Sequence, residues 1–501
     1  MKKHALTAAL AALSLTGFSG AAQAWTPSDT PDLELFMSGA TAMDNAMTSM
    51  FNNICEDTDY YTDPNNGAGY RAFFCTLTPA NVPGLSAPKK VLFIKRSAGG
   101  SAQGVNPLAE ESQLDSLNIF NNNCTQDAPG GKKWTCTINN PGDLTPRHPN
   151  IGISDVDPFM FRGRNTPKGF KPMTQRSIQA LEVRAVAALI FGVPVTNGLY
   201  DALQTVQIDR GELPGSCSKG EYTEECMPSL SKQQVASLIT GQIKSWDEFI
   251  VTKDGVDHPL TQYPGVTPPQ SDLMHYCKRV DGSGTGAQQY AKFLHHPCTR
   301  CAMEPMVSDP EISDDNPFEG PRVFENSGSG NMDRCLDDFG KGTNTSGLNS
   351  NINGQAVTAW AIGQQSLEKN ANNAFAYKFI KIDGYAPTLK NAANGTYMDW
   401  VEPTFQWRKT GAGSPSGDTL AIIEKIVVDA ANPTTVASVL NQTSSYTFGK
   451  SGYLAVASNG HPFSHIVDEN APVIGYSHAA GGLLDNCNVP VLLKIDSDKP
   501  L

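Results

Sequence analysis

Past residue 18 the chain has no apolar run approaching the ~20 residues that a membrane-spanning helix requires, so no membrane insertion is expected. Basic residues are also scarce, with 38 Lys and Arg against 50 Asp and Glu and a formal net charge of −12. Such a surface repels nucleic acid and anionic lipid, which sets both aside as partners. The zinc-peptidase helix H-E-x-x-H and the nucleophile elbow G-x-S-x-G are both missing. Phe448-Gly449-Lys450-Ser451 has the ending of a P-loop, but Ser444 stands where the leading glycine belongs, so nucleotide hydrolysis is unsupported. A phosphatase would need a metal cluster or an activated nucleophile, and Ser283 has no sequence neighbour to serve as its base. The chain therefore reads as a non-enzyme without a cofactor. No internal repeat or low-complexity tract stands out.

What is present begins with a leader. Met1-Lys2-Lys3-His4 precedes the Ala/Leu-rich run from Ala5 to Phe18 and then Ala22-Gln23-Ala24, which together form a charged n-region, an h-region and a small-x-small cleavage signal. Cleavage is expected after Ala24. No cysteine follows at the spacing of a lipoprotein anchor, so the mature chain is expected in the periplasm or secreted beyond it. Losing Lys2 and Lys3 takes the basic count from 38 to 36 against 50 acidic residues, a net charge of −14. A chain of 501 residues can bury more than one core, and two lobes are expected.

Eleven cysteines in an exported chain favour disulfides, and the odd number leaves at least one thiol free or intermolecular. Near pairs are Cys55 with Cys75, Cys124 with Cys136, Cys217 with Cys226, and Cys277 with Cys298 or Cys301. His295-His296-Pro297-Cys298-Thr299-Arg300-Cys301 is the sharpest metal alternative, but it lacks a second C-x-x-C pair, and a disulfide clip is preferred.

Short β-rich runs, such as Lys90 to Lys95 and Ile151 to Ser154, alternate with helix-compatible stretches at Arg176 to Phe191 and Ser231 to Thr240. That alternation predicts an α/β fold with mainly parallel sheets, whose ligands bind where strands end and helices begin. Three small-residue loops fall at such points: Ser38 to Ala42, Ala98 to Gly104 and Asp281 to Gly286. Small residues let backbone N–H groups approach an anion, and a helix's first turn offers unpaired donors and a favourable dipole. Arg279 adds a permanent charge whose fork of donors suits a tetrahedral oxyanion, and Asp281 is placed to hold that fork.

On these residues the chain resembles the periplasmic phosphate-binding proteins of ABC transporters, within the type II periplasmic binding-protein fold. Five segments match in family order: Ser38-Gly39-Ala40-Thr41-Ala42, Gly100-Ser101-Ala102-Gln103-Gly104-Val105, Gly152-Ile153-Ser154-Asp155, Ile239 to Asp247 with Trp246, and Lys278-Arg279-Val280-Asp281-Gly282-Ser283-Gly284-Thr285. Weaker similarities lie at Ala361-Ile362-Gly363 and Gly395-Thr396-Tyr397. The resemblance implies that Thr41, Ala42 and Ser101 donate from the first lobe and that Arg279, Ser283, Gly284 and Thr285 donate from the second. Asp155 would be the lone acceptor, taking a proton-mediated hydrogen bond from phosphate and repelling fully ionised sulfate. Inorganic phosphate is the implied ligand, and a membrane ABC permease the implied partner of a monomer.

Hinge crossings are expected near Phe191-Gly192 and Gly395 to Asp399, which makes lobe 1 of residues 25–190 plus 396–501 and lobe 2 of 191–395. The chain departs from the family in having Ala42-Met43 after the threonine, where an aromatic residue and proline are usual, and Gln103 where glycine is usual. Ser97, in a similar setting, competes with Ser101 for the second-loop hydroxyl. Excess length falls in loop-like, cysteine-bearing stretches at Cys55 to Cys75, Cys124 to Arg147, Cys217 to Cys226 and Cys298 to Asn351. A secreted surface or matrix protein on the same fold is the alternative reading.

Overall fold

The computed structural model describes residues 26–65, 69–307, 320–350, 354–464, 466–479 and 483–493, so the leader and its cleavage point lie outside the described residues. Ten elements set the architecture. In chain order they are β1 (Leu33–Gly39), α1 (Asp44–Ile54), β2 (Lys89–Arg96), β3 (Ile151–Ser154), β4 (Ala187–Gly192), β5 (Ser271–Arg279), α2 (Gly284–Leu294), β6 (Arg322–Asn326), α3 (Ser329–Lys341) and β7 (Tyr453–Val456).

The fold is mixed α/β. In the first sheet, β1 runs parallel to both β2 and β3. Thr404–Arg408 pairs antiparallel with β3, and Leu181–Ala185 closes that edge. Beyond β2 the sheet continues antiparallel through Tyr70–Leu77 and Glu56–Thr62 to a total of nine strands. Alternation along β1 explains its two-sided burial. Leu35 and Met37 join Met47 and Phe51 of α1 in one core, while Phe36 packs with Phe74, Leu92 and Ile94 in another. The second sheet has β5 parallel to β6 and to Ala359–Ile362, with Pro194–Thr196 and Tyr377–Phe379 antiparallel at the far side. Both sheets are thus mixed, with parallel strands at the centres that carry the loops of interest.

A third sheet, of five strands like the second, joins the two large cores. Along β4, Ala187, Leu189 and Phe191 belong to the core under the first sheet, whereas Ala188 and Ile190 belong to the core under the second. β7 pairs with β4 and divides in the same way, Tyr453 and Ala455 to one side, Leu454 and Val456 to the other. A strand buried on both faces must read as a continuous apolar run. This is why the expected helix over Arg176 to Phe191 is corrected: only Gln175–Gln179 is helical, followed by two strands, because a short run with no polar face does not distinguish helix from buried strand. The helix expected at Ser231 to Thr240 is present as Lys232–Ile239, with the Ser231 hydroxyl accepting the Gln234 N–H. Phe191 and Asp399, in the two segments expected to cross, are directly bonded, the Phe191 N–H donating to the Asp399 carbonyl at 2.8 Å.

Disulfides join Cys55 to Cys75, Cys124 to Cys136 and Cys217 to Cys226, as the near spacings suggested. The fourth pairing is corrected. Cys277 bonds Cys335, Cys298 bonds Cys487, and Cys301 is the free thiol. With its sulfur committed to Cys487, Cys298 is lost to the zinc alternative. The loop-like reading of three extra stretches is corrected as well. Cys55 to Cys75 supplies two strands of the first sheet, Cys124 to Arg147 supplies three more strands, and β6 with α3 lies between Cys298 and Asn351.

Candidate functional site

Strand-to-helix turns from both large sheets converge on one place. β1 delivers Thr41 and Ala42 ahead of α1, and β2 delivers the Ser101–Gly104 turn. From the other side, β5 delivers Ser283 to Thr285 at the start of α2, and β6 delivers Ser327 to Ser329 at the start of α3. Ser283 caps α2, its hydroxyl accepting the Gly286 N–H at 3.2 Å, and Gly282 before it has φ +86°, a conformation that side chains disfavour. The opposing loops touch: the Ala102 N–H donates to the Gly282 carbonyl at 2.8 Å. A Cβ at Gly100 would lie 2.9 Å from Ser283 Cα, and one at Gly284 would lie 2.3 Å from Ser101 Oγ.

Arg279, 2% exposed, sits at the centre. Its Nε donates to the Asn326 carbonyl at 3.1 Å and its Nη1 to Thr285 Oγ1 at 3.2 Å. Its Nη2 reaches Thr41 Oγ1 at 3.0 Å and the Ser327 carbonyl at 3.2 Å. Burial pushes the guanidinium down to about 10, opposed first by Asp155, and it stays cationic at neutral pH. Thr41 Oγ1 also accepts the Ser329 N–H at 3.2 Å, so its own proton points to Ser329 Oγ, 3.1 Å away.

Among the described residues, Asp155 is the carboxylate that accepts from Thr285. Its Oδ2 accepts the Thr285 hydroxyl at 3.0 Å, its N–H donates to Ser101 Oγ at 3.0 Å, and its buried Oδ1 has no hydrogen-bond partner among the described residues. Burial pushes its carboxyl up to about 6, with Arg279 the largest opposing influence. The arrangement offers hydroxyls, helix-start amides and one guanidinium around a single acceptor, a set suited to a partly protonated oxyanion.

Thr41, Ser101, Asp155, Arg279, Ser283, Gly284 and Thr285 are thus brought together. Ala42 is buried beside them, its carbonyl accepting Ser366 Oγ at 3.1 Å. Asp281 is the correction. It turns away from the fork toward Lys278 Nζ at 3.5 Å, and carbonyls and hydroxyls hold Arg279 in its place. Ser97 is also resolved, since its hydroxyl donates to Asp44 Oδ1 at 2.6 Å and accepts from Lys95 Nζ at 2.9 Å, away from Asp155.

Two features escaped the sequence reading. Ser327-Gly328-Ser329 is a fourth strand–small-loop–helix turn, visible as a pattern but hidden inside a stretch read as insertion. Beneath Thr41 and Ala42, Asp44 pairs with Arg71 at 2.9 Å and with Lys95 at 3.0 Å, and these cations hold its carboxyl low against the opposing effect of burial. Lys95 shares a face of its strand with the core residues Val91 and Phe93, an apolar position occupied by a charge.

No family model and no curated protein matches the chain. Among solved structures, an ABC-type phosphate transport receptor from Vibrio cholerae aligns at 13% identity over 78% of this chain and 93% of its own, with a TM-score of 0.34. PstS from Borrelia burgdorferi aligns at 11% identity over 82% and 95%, with a TM-score of 0.31. A candidate phosphate ABC transporter substrate-binding protein from Clostridium perfringens, solved with bound phosphate, aligns at 13% identity over 81% and 93%, with a TM-score of 0.37. At such scores these likenesses carry no functional conclusion.

Proposed function

We propose that this chain is an exported solute-binding protein that captures phosphate, or a related tetrahedral oxyanion, between lobes of residues 25–190 plus 396–501 and 191–395, for delivery to an ABC-type permease. The observation that carries the proposal is the buried Arg279 fork, spread over Thr41 from one sheet and Thr285 from the other, with Asp155 one hydroxyl away. An oxyanion entering here replaces these hydroxyls as the partner of Arg279. Thr41, Ser101, Ser283 and Thr285 then donate hydrogen bonds from their hydroxyls, Ala42 and Gly284 donate from their backbone N–H groups, and Asp155 accepts a hydrogen bond from the P–O–H of hydrogen phosphate. Release of the intramolecular bonds offsets part of the gain, so the anion's charge must supply the difference. Five disulfides suit the oxidising compartment that an exported protein meets.

Calorimetric titration of the purified mature protein with phosphate, arsenate and sulfate tests the proposal. Phosphate and arsenate are expected to bind and sulfate to be rejected. Arg279→Ala removes a desolvated charged donor and is expected to weaken phosphate by about 30-fold or more, the equivalent of at least ~2 kcal/mol. Absence of heat with all three anions in a folded wild-type sample overturns it.

A further inference from the structure

Cys298 and Cys487 form a disulfide across 189 residues of sequence, and three residues after Cys298 stands Cys301, free and exposed. Cys298 follows α2, the helix whose first turn carries Ser283, Gly284 and Thr285. The chain there makes successive turns, the Cys298 N–H donating to the His295 carbonyl at 2.8 Å and the Ala302 N–H to the Thr299 carbonyl at 3.3 Å. Cys487 adjoins Asn486, which is doubly bonded to Asp157: the Asn486 N–H donates to Asp157 Oδ2 at 2.8 Å, and the Asp157 N–H donates to Asn486 Oδ1 at 2.6 Å. Asp157 lies two residues beyond Asp155. One covalent bond therefore ties the far end of the helix bearing the oxyanion donors to the segment bearing the acceptor.

We propose that Cys301, Cys298 and Cys487 form a thiol–disulfide exchange site that makes and releases this tie. The Cys301 thiolate attacks Cys298 Sγ, a Cys298–Cys301 bond forms, the Cys298–Cys487 bond breaks, and Cys487 leaves as a thiolate that takes up the proton Cys301 gave to solvent. The number of disulfides is unchanged, so no oxidant or reductant is consumed. Residues three apart can approach within about 7 Å between Cα atoms when the chain turns between them, close to the span a disulfide bridges, and the chain turns on either side of Thr299. Cys301 is exposed to solvent, as an attacking thiol must be.

Once Cys487 is released, the holds on the segment around it are noncovalent: the Asn486–Asp157 pair, the Asp485 N–H and Asn488 Nδ2 donating to the His478 carbonyl at 3.4 and 3.2 Å, the Leu493 N–H donating to the Gly475 carbonyl at 2.9 Å, and the short pairing of Val491–Leu492 with Tyr476–Ser477. Leu483 and Val489 contribute little to holding it, being 78% and 76% exposed. On the two-lobed reading proposed above, untying this segment loosens the coupling between the donor and acceptor halves. The exchange chemistry itself does not depend on that reading.

The test is disulfide mapping of the full mature chain after incubation with a trace of small thiol and trapping by alkylation. Trypsin cuts after Arg300, between Cys298 and Cys301, so the product appears as two peptides joined by a disulfide, with Cys487 alkylated. In Cys301→Ser, alkylation of Cys487 is expected to fall about tenfold, because the internal nucleophile is gone. Cys487→Ser, which keeps both C-x-x-C sulfurs, is expected to form the Cys298–Cys301 bond. The proposal is overturned if Cys487 alkylates equally in wild type and Cys301→Ser, or if Cys487→Ser leaves both remaining thiols free or in mixed disulfides under oxidising buffer. Phosphate calorimetry on the same samples reports separately on the binding reading.

Discussion

Arg279 and Asp155 meet through a single hydroxyl. Thr285 Oγ1 accepts from Arg279 Nη1 at 3.2 Å and donates to Asp155 Oδ2 at 3.0 Å, so the two buried charges are linked without forming a direct ion pair. A direct pair would satisfy both groups with each other. An intervening hydroxyl can instead be exchanged for a ligand that carries acceptors for one and a hydrogen-bond donor for the other, and Asp155 Oδ1, buried with no partner among the described residues, can accept from that donor.

The first prediction concerns selectivity against pH. Burial places the Asp155 carboxyl at about 6, above its ordinary value, despite the opposing pull of Arg279. Ionised, it accepts from hydrogen phosphate and repels sulfate; protonated, it can donate to either. Preference for phosphate over sulfate is therefore expected to be high above about pH 6 and to decline as the pH falls toward about 5. Asp155→Asn is expected to show a low preference at every pH. Competition titrations across this range check it, and a wild-type preference indifferent to pH removes Asp155 from the selectivity role.

The second prediction concerns the core behind the site. Cys277, on β5 two residues before Arg279, is bonded to Cys335 of α3 across 58 residues. Closing a loop of that length restrains the unfolded chain by about 4 kcal/mol on the chain-entropy scale. The double change Cys277→Ala with Cys335→Ala is expected to lower the denaturation midpoint accordingly, measured against the intact protein without reductant. A loss below about 1 kcal/mol would mean that the unfolded chain is held compact by other means.

Much of this site was legible in the sequence because its determinants are local. A strand, a run of small residues and a helix start are written contiguously at Ser38 to Ala42, Ala98 to Gly104 and Asp281 to Gly286, and backbone chemistry alone makes each a turn of free N–H groups. What could not be read were relations between segments. Asp281 lies near Arg279 in sequence, yet Lys278, beside Arg279 on the same strand and paired also with Glu325 of the neighbouring strand, offers its charge a competing partner. The pairing of Cys298 with Cys487 depends on where the C-terminal segment packs, which near spacing cannot report. Ala187 to Phe191 reads equally well as helix or strand until its two apolar faces are seen to serve two cores.

The third prediction follows from a buried polar chain between α2 and the C-terminal region. Glu402 Oε2 lies 2.5 Å from His478 Nδ1, and Lys292 Nζ lies 2.8 Å from His478 Nε2. Burial holds the imidazole below its ordinary value, so it is neutral, with its proton on Nδ1 facing Glu402 and Nε2 accepting from Lys292. On acidification the unfolded imidazole takes up a proton first, so the contribution of His478 to native stability is expected to fall as the pH drops below about 6.5, against the opposite contribution of the raised carboxyls of Asp155, Asp157 and Glu368. His478→Ala leaves Glu402 and Lys292 without this partner and is expected to cost about 3 kcal/mol. Thermal melts at several pH values check both, and His478→Ala is expected to flatten the slope below neutrality.

The fourth prediction separates folding from closure at Gly284. Its backbone φ lies outside the left-handed region, in the first turn of a helix, so nothing in its own conformation demands glycine and alanine is the better helix former. Its neighbours demand it. A methyl group would meet Ser101 Oγ at 2.3 Å, Asp155 Cβ at 2.7 Å and Ser101 Cβ at 2.8 Å. Overpacking of this kind costs about 1–3 kcal/mol where the surroundings cannot yield. Here the two sides come from different sheets and meet through loops, where a small separation relieves the contact, although Ala287 and Ala291 farther along α2 share the core under the first sheet. Gly284→Ala is therefore expected to melt within about 1 °C of wild type, because the fold escapes the strain, while phosphate affinity falls by about tenfold, because closure does not. If melting temperature drops steeply instead, the contact between Gly284 and Ser101 is a fixed part of the fold and the two-lobed clamp is the wrong description of it.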